Sequence, residues 1–428
     1  MQKIKFKNFE FKIVQIFILL YFSILIGFYF NEDSLGGSQN DFNYHYKISL
    51  EFVKNFLSTF NDFGTRENTS MGTRNSPLFW MIVAQMSKFF SYDILRIINS
   101  SVSIIICFYF FKCLKIRYKK INNFILALLA CSIYLSPTIR SLSIWPYSLI
   151  WGLLFFVIST FHFLKFLEIK RDSDKFIQSL ITIFFITISA YIYPSFGIFF
   201  LIFIINFFLF YRFGKKFFLI SIFSFILAIP FLFYVNSKDV LAAFDGAQGM
   251  TMNKFNTFNI SNKILIISSM IFFFIAPILN FKLVKKEIAS LKSIEFLILI
   301  IFGLINAYLF NYPEYDSGFG GGFFYKFSNI FFKNNYLFFL FSIFALIYIY
   351  TIIKKNLNNS LIFLTLILFN PQLTIYHKYY DPLIIIIFTT LISFDIKKHF
   401  FEKKYNILQL YFFCVSYLVI GLLKNQIY

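Results

Sequence analysis

The chain has 428 residues, 58% of them hydrophobic and only 14% charged, with Lys and Arg outnumbering Asp and Glu by 40 to 20. A water-soluble domain carries roughly a quarter charged residues, so this composition excludes one and points to a polytopic membrane protein. The net charge of +20 would suit nucleic acid only if gathered on one soluble face, whereas here it is dispersed among short segments between apolar runs.

In chain order, apolar runs predict spans at about 13–30, 94–113, 121–137, 145–164, 176–192, 195–211, 217–235, 263–281, 293–311, 336–353, 360–376, 382–394 and 407–423. Each is, or nearly is, long enough to cross about 30 Å of hydrocarbon; 382–394 is the shortest, and "YIYPSFG" (191–197) breaks one hairpin. The first run is longer than a signal-peptide core, and "FNEDSLGG" offers no small-x-small cleavage site, so retention is expected. With the N-terminus inside, the inner segments hold 26 of the 40 Lys and Arg, and 12 of the 20 acidic residues fall outside. The positive-inside rule therefore predicts an all-α bundle of about 13 spans, N-in and C-out. Residues 1–428 are read as one multi-span membrane domain. Four cysteines (Cys107, Cys113, Cys131, Cys414) lie in or beside apolar runs without metal spacing, as packing residues do.

Inner connections such as "KIRYKK" (115–120) are short and basic, leaving no room for a catalytic domain. Chemistry is expected in the outer loops 31–93, 236–262, 311–335 and 376–382. The first has its own periodicity: Ile48, Phe52, Val53, Phe56, Leu57 and Phe60 recur at helical spacing, which predicts an amphipathic helix on the membrane surface. A polar stretch, 61–76, follows. Ser76-Pro77 then supplies an N-cap and first-turn proline for a second helix, "PLFWMIVAQMSKFF", too short to be read as a span with certainty of length.

Asp41 and His45 stand four residues apart and so share a helix face. Two readings are open: a first-turn carboxylate facing water and stabilised by the helix dipole, or a base at the membrane boundary. The loop gathers Glu32, Asp33, Asp41, His45, Arg66 and Arg74. Lipid-phosphate chemistry needs that mixture, a carboxylate to accept a hydroxyl proton and cations to hold phosphate.

"DFNYH" (41–45), an amphipathic helix and "RNSPLFW" (74–80) after the first span resemble the GT-C superfamily of membrane glycosyltransferases. In that family the first outer loop carries an acidic motif and, further on, a proline turn into an aromatic helix. This chain departs by having one Asp and one Pro where two of each are usual. The resemblance covers residues 1–100 by motif and the rest by span count and topology. It implies inverting transfer of a sugar from a polyprenyl-phosphate donor to a glycan, lipid or protein acceptor, with Asp41 as base and His45 supporting it. Tyr44, Arg66 and Arg74 would then contact substrate. The active face would be the outer side of a bacterial cytoplasmic membrane, or a lumenal face.

Elsewhere, "YHKYYDPL" (376–383) places His377, Lys378, Tyr380 and Asp381 at an expected outer span end, either as interface decoration or as ligands for the donor phosphate. Arg140 in "PTIRSLSIWPY" is a further outer cation, snorkelling or touching substrate. Gly318, Gly320, Gly321 and Gly322 form a flexible or gating loop, not a nucleotide cradle. Glu32, Asp33 and Asp41 could join Mg2+ or Mn2+ to a substrate phosphate, though no spacing demands a cation. A polysaccharide polymerase or flippase is the alternative reading; such polymerases favour outer loops rich in Arg. A transporter would need ionisable groups at mid-bilayer, for which His162 is the main candidate. The charge asymmetry yields a first test: in intact cells an impermeant thiol reagent should label a cysteine placed at the Ser38 end of the first loop and spare one at Ser290. The reverse pattern would overturn the topology.

Overall fold

The computed structural model describes residues 2–63, 76–238, 260–312, 320–370, 374–402 and 406–427; of 2–12, 235–238 and 425–427 the helical backbone alone is described. The described residues are helical, with one isolated backbone bridge, Gly320 to Ile375. They form two compact units, Met1–Val240 with Ile407–Tyr428, and Leu241–Asn406.

The first unit opens with α1 (Gln2–Tyr29), then α2 (Ser38–Lys54), α3 (Phe56–Asp62), α4 (Pro77–Ser87) and α5 (Tyr92–Arg117). There follow α6 (Asn123–Cys131), α7 (Pro137–Ile144), α8 (Ser148–Glu168), α9 (Asp172–Ile192), α10 (Phe200–Tyr211) and α11 (Lys215–Lys238). The C-terminal helix of the chain (Asn406–Ile427) belongs here too, its Tyr411 hydroxyl donating to the Leu128 carbonyl at 2.9 Å. α8 packs on both α5 and α9 and is buried along most of its length. Its near-continuous apolar sequence is that of a helix enclosed on every side.

The second unit contains α12 (Ile260–Ile275), α13 (Phe281–Ala289), α14 (Ser293–Tyr308), α15 (Gly322–Phe332), α16 (Tyr336–Ile353), α17 (Leu357–Leu368) and α18 (Leu383–Thr390); the C-terminal helix is α19. α12 is its hub, packing against α14, α15, α16, α17 and α18.

Eight described helices are long and apolar enough to cross a membrane, or ten if each of two bent pairs is one span. Within the described residues, several of the expected elements depart from full-length spans for local reasons. The expected span 121–137 is broken at Ser136-Pro137, where α6 and its 3-10 extension meet α7 at 65°. Proline cannot continue a helix but readily starts one, and the Ser136 hydroxyl accepts from the Ile139 amide at 3.2 Å. Residues 137–144, expected in an outer loop, are therefore a wholly buried helix. α4 has 11 residues, about 16 Å at 1.5 Å per residue, and does not reach across a bilayer.

The segments expected to span at 360–376 and 382–394 contain shorter helices than expected. α17 and α18, of 12 and 8 residues, rise only about 18 and 12 Å. They share a base: Asn359 accepts from the Ser393 amide at 2.8 Å and donates to the Ile352 and Ser393 carbonyls. Neither helix is by itself long enough to cross a bilayer.

At the turn between α17 and α18, Gly321 donates to the Ile375 carbonyl at 2.9 Å, and the Tyr312 hydroxyl accepts from the Ile375 amide at 2.9 Å. Gly320, Gly321 and Gly322 all have positive φ, between 82° and 88°, a run open only to glycine. A Cβ on Gly320 would strike the Ile375 carbonyl.

Ser38 is buried, so the outer labelling position of choice is Asn40, which is exposed; Ser290 is exposed as well, and all four native cysteines are buried and leave a silent background. Gly320→Ala should destabilise the second unit through both the strained φ and the collision. A thermal unfolding midpoint in detergent equal to that of the native chain would remove this constraint.

Candidate functional site

The loop that follows α1 is folded around the end of that helix. Asn31 adopts a left-handed φ of 52°; its amide donates to the Phe28 carbonyl, and the Glu32 amide to that of Gly27 at 2.8 Å. This paired closure of a helix end turns Glu32 back against α1. A Cβ at Gly27 would run into the Glu32 carboxylate, so glycine is required for that approach.

Glu32 meets Arg140 of α7 in a two-pronged pair. Arg140 Nε donates to Oε1 at 2.7 Å and Nη2 to Oε2 at 2.5 Å, with side chains only 9% and 8% exposed. The remaining guanidinium donors reach the Ser23 hydroxyl and carbonyl, both at 2.9 Å. Arg140 was expected as a snorkelling outer cation or substrate contact. It is instead an internal tie, because burial obliges a guanidinium to fill its donors within the fold.

Asp33 is engaged next door. It accepts from the Gly36 and Gln39 amides at 3.1 Å each, holding the N-terminus of α2, and from the Ser141 hydroxyl at 3.3 Å. Arg96, which sequence reasoning did not single out, lies 3.8 Å from the Trp145 ring centroid and donates to Asn31, Asp93 and the Ile144 carbonyl. The i, i+3 spacing of Asp93 and Arg96 was its only sequence signal.

On this frame α2 packs against α4. The His45 ring stacks on Trp80 at 4.4 Å and 13° and is 7% exposed; its place is the seam between the helices rather than the water-facing surface. Asp41 lies one turn earlier, in the first turn of α2, and is half-exposed. Tyr44 is 41% exposed beside it. The amphipathic reading holds only as far as Phe52: Phe42, Ile48 and Phe52 point inward, but Phe56 and Leu57, expected on the same face, are exposed, because the helix breaks at an extended Asn55 that caps α3. Burial raises the Tyr46 phenol above its ordinary value, keeping it a neutral donor near neutral pH.

The second expected cluster is spread over the hairpin tip of the other unit. His377 lies 6.2 and 5.9 Å from the rings of Phe273 and Phe274. These lie thirteen and fourteen residues beyond Ile260 on α12, or about 20 Å along its axis. That is deeper along α12 than the outer end the sequence suggested. Lys378 is half-buried over Tyr376 and Tyr379. Tyr380 is fully buried, its hydroxyl donating to the Leu366 carbonyl at 3.1 Å, so it closes the hairpin and presents nothing to a substrate. Asp381 is buried before the cis bond to Pro382. His162 bonds Gln178 at 2.7 Å and stacks on Phe185, a packing role between α8 and α9. Arg66, Arg74 and Gly318, with most of loops 61–76 and 236–262, lie outside the described residues.

Comparison with protein-family models, curated proteins and solved structures finds no match to this chain. The site is therefore defined by its geometry: a half-exposed carboxylate on a helix that an ion pair and an aromatic stack hold fixed. Arg140→Met should cost about 3–5 kcal/mol of stability, because it leaves a buried carboxylate uncompensated. Glu32→Gln should cost less, since the amide still accepts one of the bonds. Unfolding measurements in detergent on both variants decide this. An Arg140→Met protein as stable as the native chain would return Arg140 to the substrate contacts.

Proposed function

We propose that the chain is a membrane glycosyltransferase of the GT-C type, moving a sugar from a polyprenyl-phosphate donor to a glycan, lipid or protein acceptor at the outer face. The observation that supports it most is the placement of Asp41. It stands half-exposed on the first turn of α2, a helix anchored to α4 through His45 and Trp80 and to α7 through Asp33 and Ser141. A base must be fixed, reachable and able to accept a proton at the reacting oxygen.

In the proposed step the acceptor hydroxyl oxygen forms a bond to the anomeric carbon from the face opposite the phosphate. The bond from that carbon to the phosphate oxygen breaks, and the lipid phosphate leaves with the electron pair. The hydroxyl proton passes to Asp41. Any Mg2+ or Mn2+ would rely on Asp41 and the substrate phosphate, since Glu32 and Asp33 are committed to Arg140, Ser141 and the start of α2. Tyr44 is the exposed neighbour suited to stack on a sugar ring. His45 acts through the helix it anchors.

Asp41→Asn should abolish release of polyprenyl phosphate from lipid-linked sugars incubated with the purified protein, while membrane insertion and unfolding midpoint stay unchanged. His45→Phe keeps a ring on Trp80 and should retain most of the transfer; His45→Ala opens a hole in the seam and should lower stability first. Undiminished transfer by Asp41→Asn would end this reading of Asp41.

A further inference from the structure

α13 and the turn that joins it to α14 separate their charges by sign. Asn280 caps α13: its side chain accepts from the Lys282 amide at 3.1 Å, and its own amide donates to His399 Nδ1 at 3.3 Å. Val284, in the middle of the helix, is buried, and α13 packs against α16. Lys282, Lys285 and Lys286 stand at i, i+3 and i+4 and so share the face opposite Val284. All three are exposed, as is Lys292 just before α14. The carboxylates of these two helices are taken up elsewhere. Glu287 accepts from Lys355 at 3.0 Å and lies 3.7 Å from His399 Nε2. Glu295 accepts from Lys354 at 3.2 Å and from the Lys292 amide at 3.0 Å. Among the described residues none of the four exposed lysines forms an ion pair.

The direction of α13 matters as much as its charge. It meets α14 at 107°. Turned that far from a neighbour that crosses the bilayer, a helix runs nearly along the membrane plane. Phe281 and Ile294, at the two ends of this segment, are exposed apolar side chains beside the lysines. An interfacial helix is built this way, with its apolar flank at the acyl boundary and its lysines reaching up to the headgroups. The positive-inside rule asks only that inner segments carry cations. It does not ask that they be gathered on one face of a capped helix while every carboxylate nearby is turned to an internal partner.

We propose that the lysine face of α13, together with Lys292, docks on the headgroups of anionic phospholipids. Charge complementarity selects that partner. A zwitterionic headgroup carries its own ammonium beside the phosphate, whereas an anionic one leaves a net negative charge for the lysines to meet. Spread along a helix in the membrane plane, the lysines contact several headgroups at once, each contact weak and screened by salt. By the charge asymmetry the leaflet is the inner one, opposite the face assigned to sugar transfer. The docking surface therefore does not rest on the transferase reading.

The experiment uses the full chain in detergent and measures binding of fluorescent phosphatidylglycerol and phosphatidylcholine. Three variants are compared with the native protein. One combines Lys282→Gln, Lys285→Gln, Lys286→Gln and Lys292→Gln, and a second replaces the same four by Arg. The third removes four exposed cations of the first unit, through Lys120→Gln, Lys170→Gln, Arg171→Gln and Lys215→Gln. The expected result is preference for phosphatidylglycerol, weakened at least about tenfold by the first variant and kept by the other two. Equal binding of both lipids by the native chain would overturn the proposal. So would unchanged phosphatidylglycerol binding by the first variant, or an equal loss in the third. Polyglutamate bound in preference to the lipid would reassign the face to an acidic protein and overturn it as well. If the first variant fails to fold, a salt titration of the native chain decides, since phosphatidylglycerol binding indifferent to ionic strength is incompatible with a lysine surface.

Discussion

A carboxylate and a guanidinium taken out of water must satisfy one another completely or weigh against the fold by several kcal/mol. Glu32 and Arg140 meet that condition, and much of the first unit follows from it. The pair joins the end of α1 to α7 across 108 positions of sequence. To bring Glu32 there, α1 must end at a left-handed Asn31, and residue 27 must be glycine. With Glu32 seated, Asp33 falls beside Ser141 and the start of α2, and Trp145 donates to the Glu32 carbonyl at 3.0 Å. The direction in which α2 leaves the bundle is thus fixed by charge pairing at its root. Where Asp41 stands is a consequence of that direction.

The second unit solves a different problem. Irregular backbone within a membrane protein is tolerated only where its polar groups are satisfied inside the protein or face a wet cavity. The hairpin of α17 and α18 obeys this with Asn359 at its base and Tyr380 and Ile375 at its tip. Three successive positive-φ glycines let the chain before α15 come close enough for Gly321 to reach Ile375. Side chains there would hold the two segments apart.

Burial sorts the polar residues of the chain by role. Arg96, Arg140, His45, His162 and Tyr380 were all chemically eligible, and each is held by packing or hydrogen bonds within its own unit. Asp41 and Tyr44 remain on the accessible side of α2.

Much was legible in the sequence because it depends on composition and period alone. Low charge with long apolar runs determined a helical membrane bundle. The helical period through Ile48 and Phe52 marked the buried face of α2, though not the break at Asn55, and Ser76-Pro77 marked its partner's start, where the Ser76 hydroxyl does accept from the Leu78 amide. Those signals are local, carried by residues within a few turns of one another. Partner choice is not local. That Arg140 would turn inward to Glu32 and that Asn359 would tie the base of α17 to Ser393 were decided by contacts between residues tens to more than a hundred positions apart. Only packing determines whether a given polar side chain faces a buried partner, and a single sequence records which groups are available but not which of them meet.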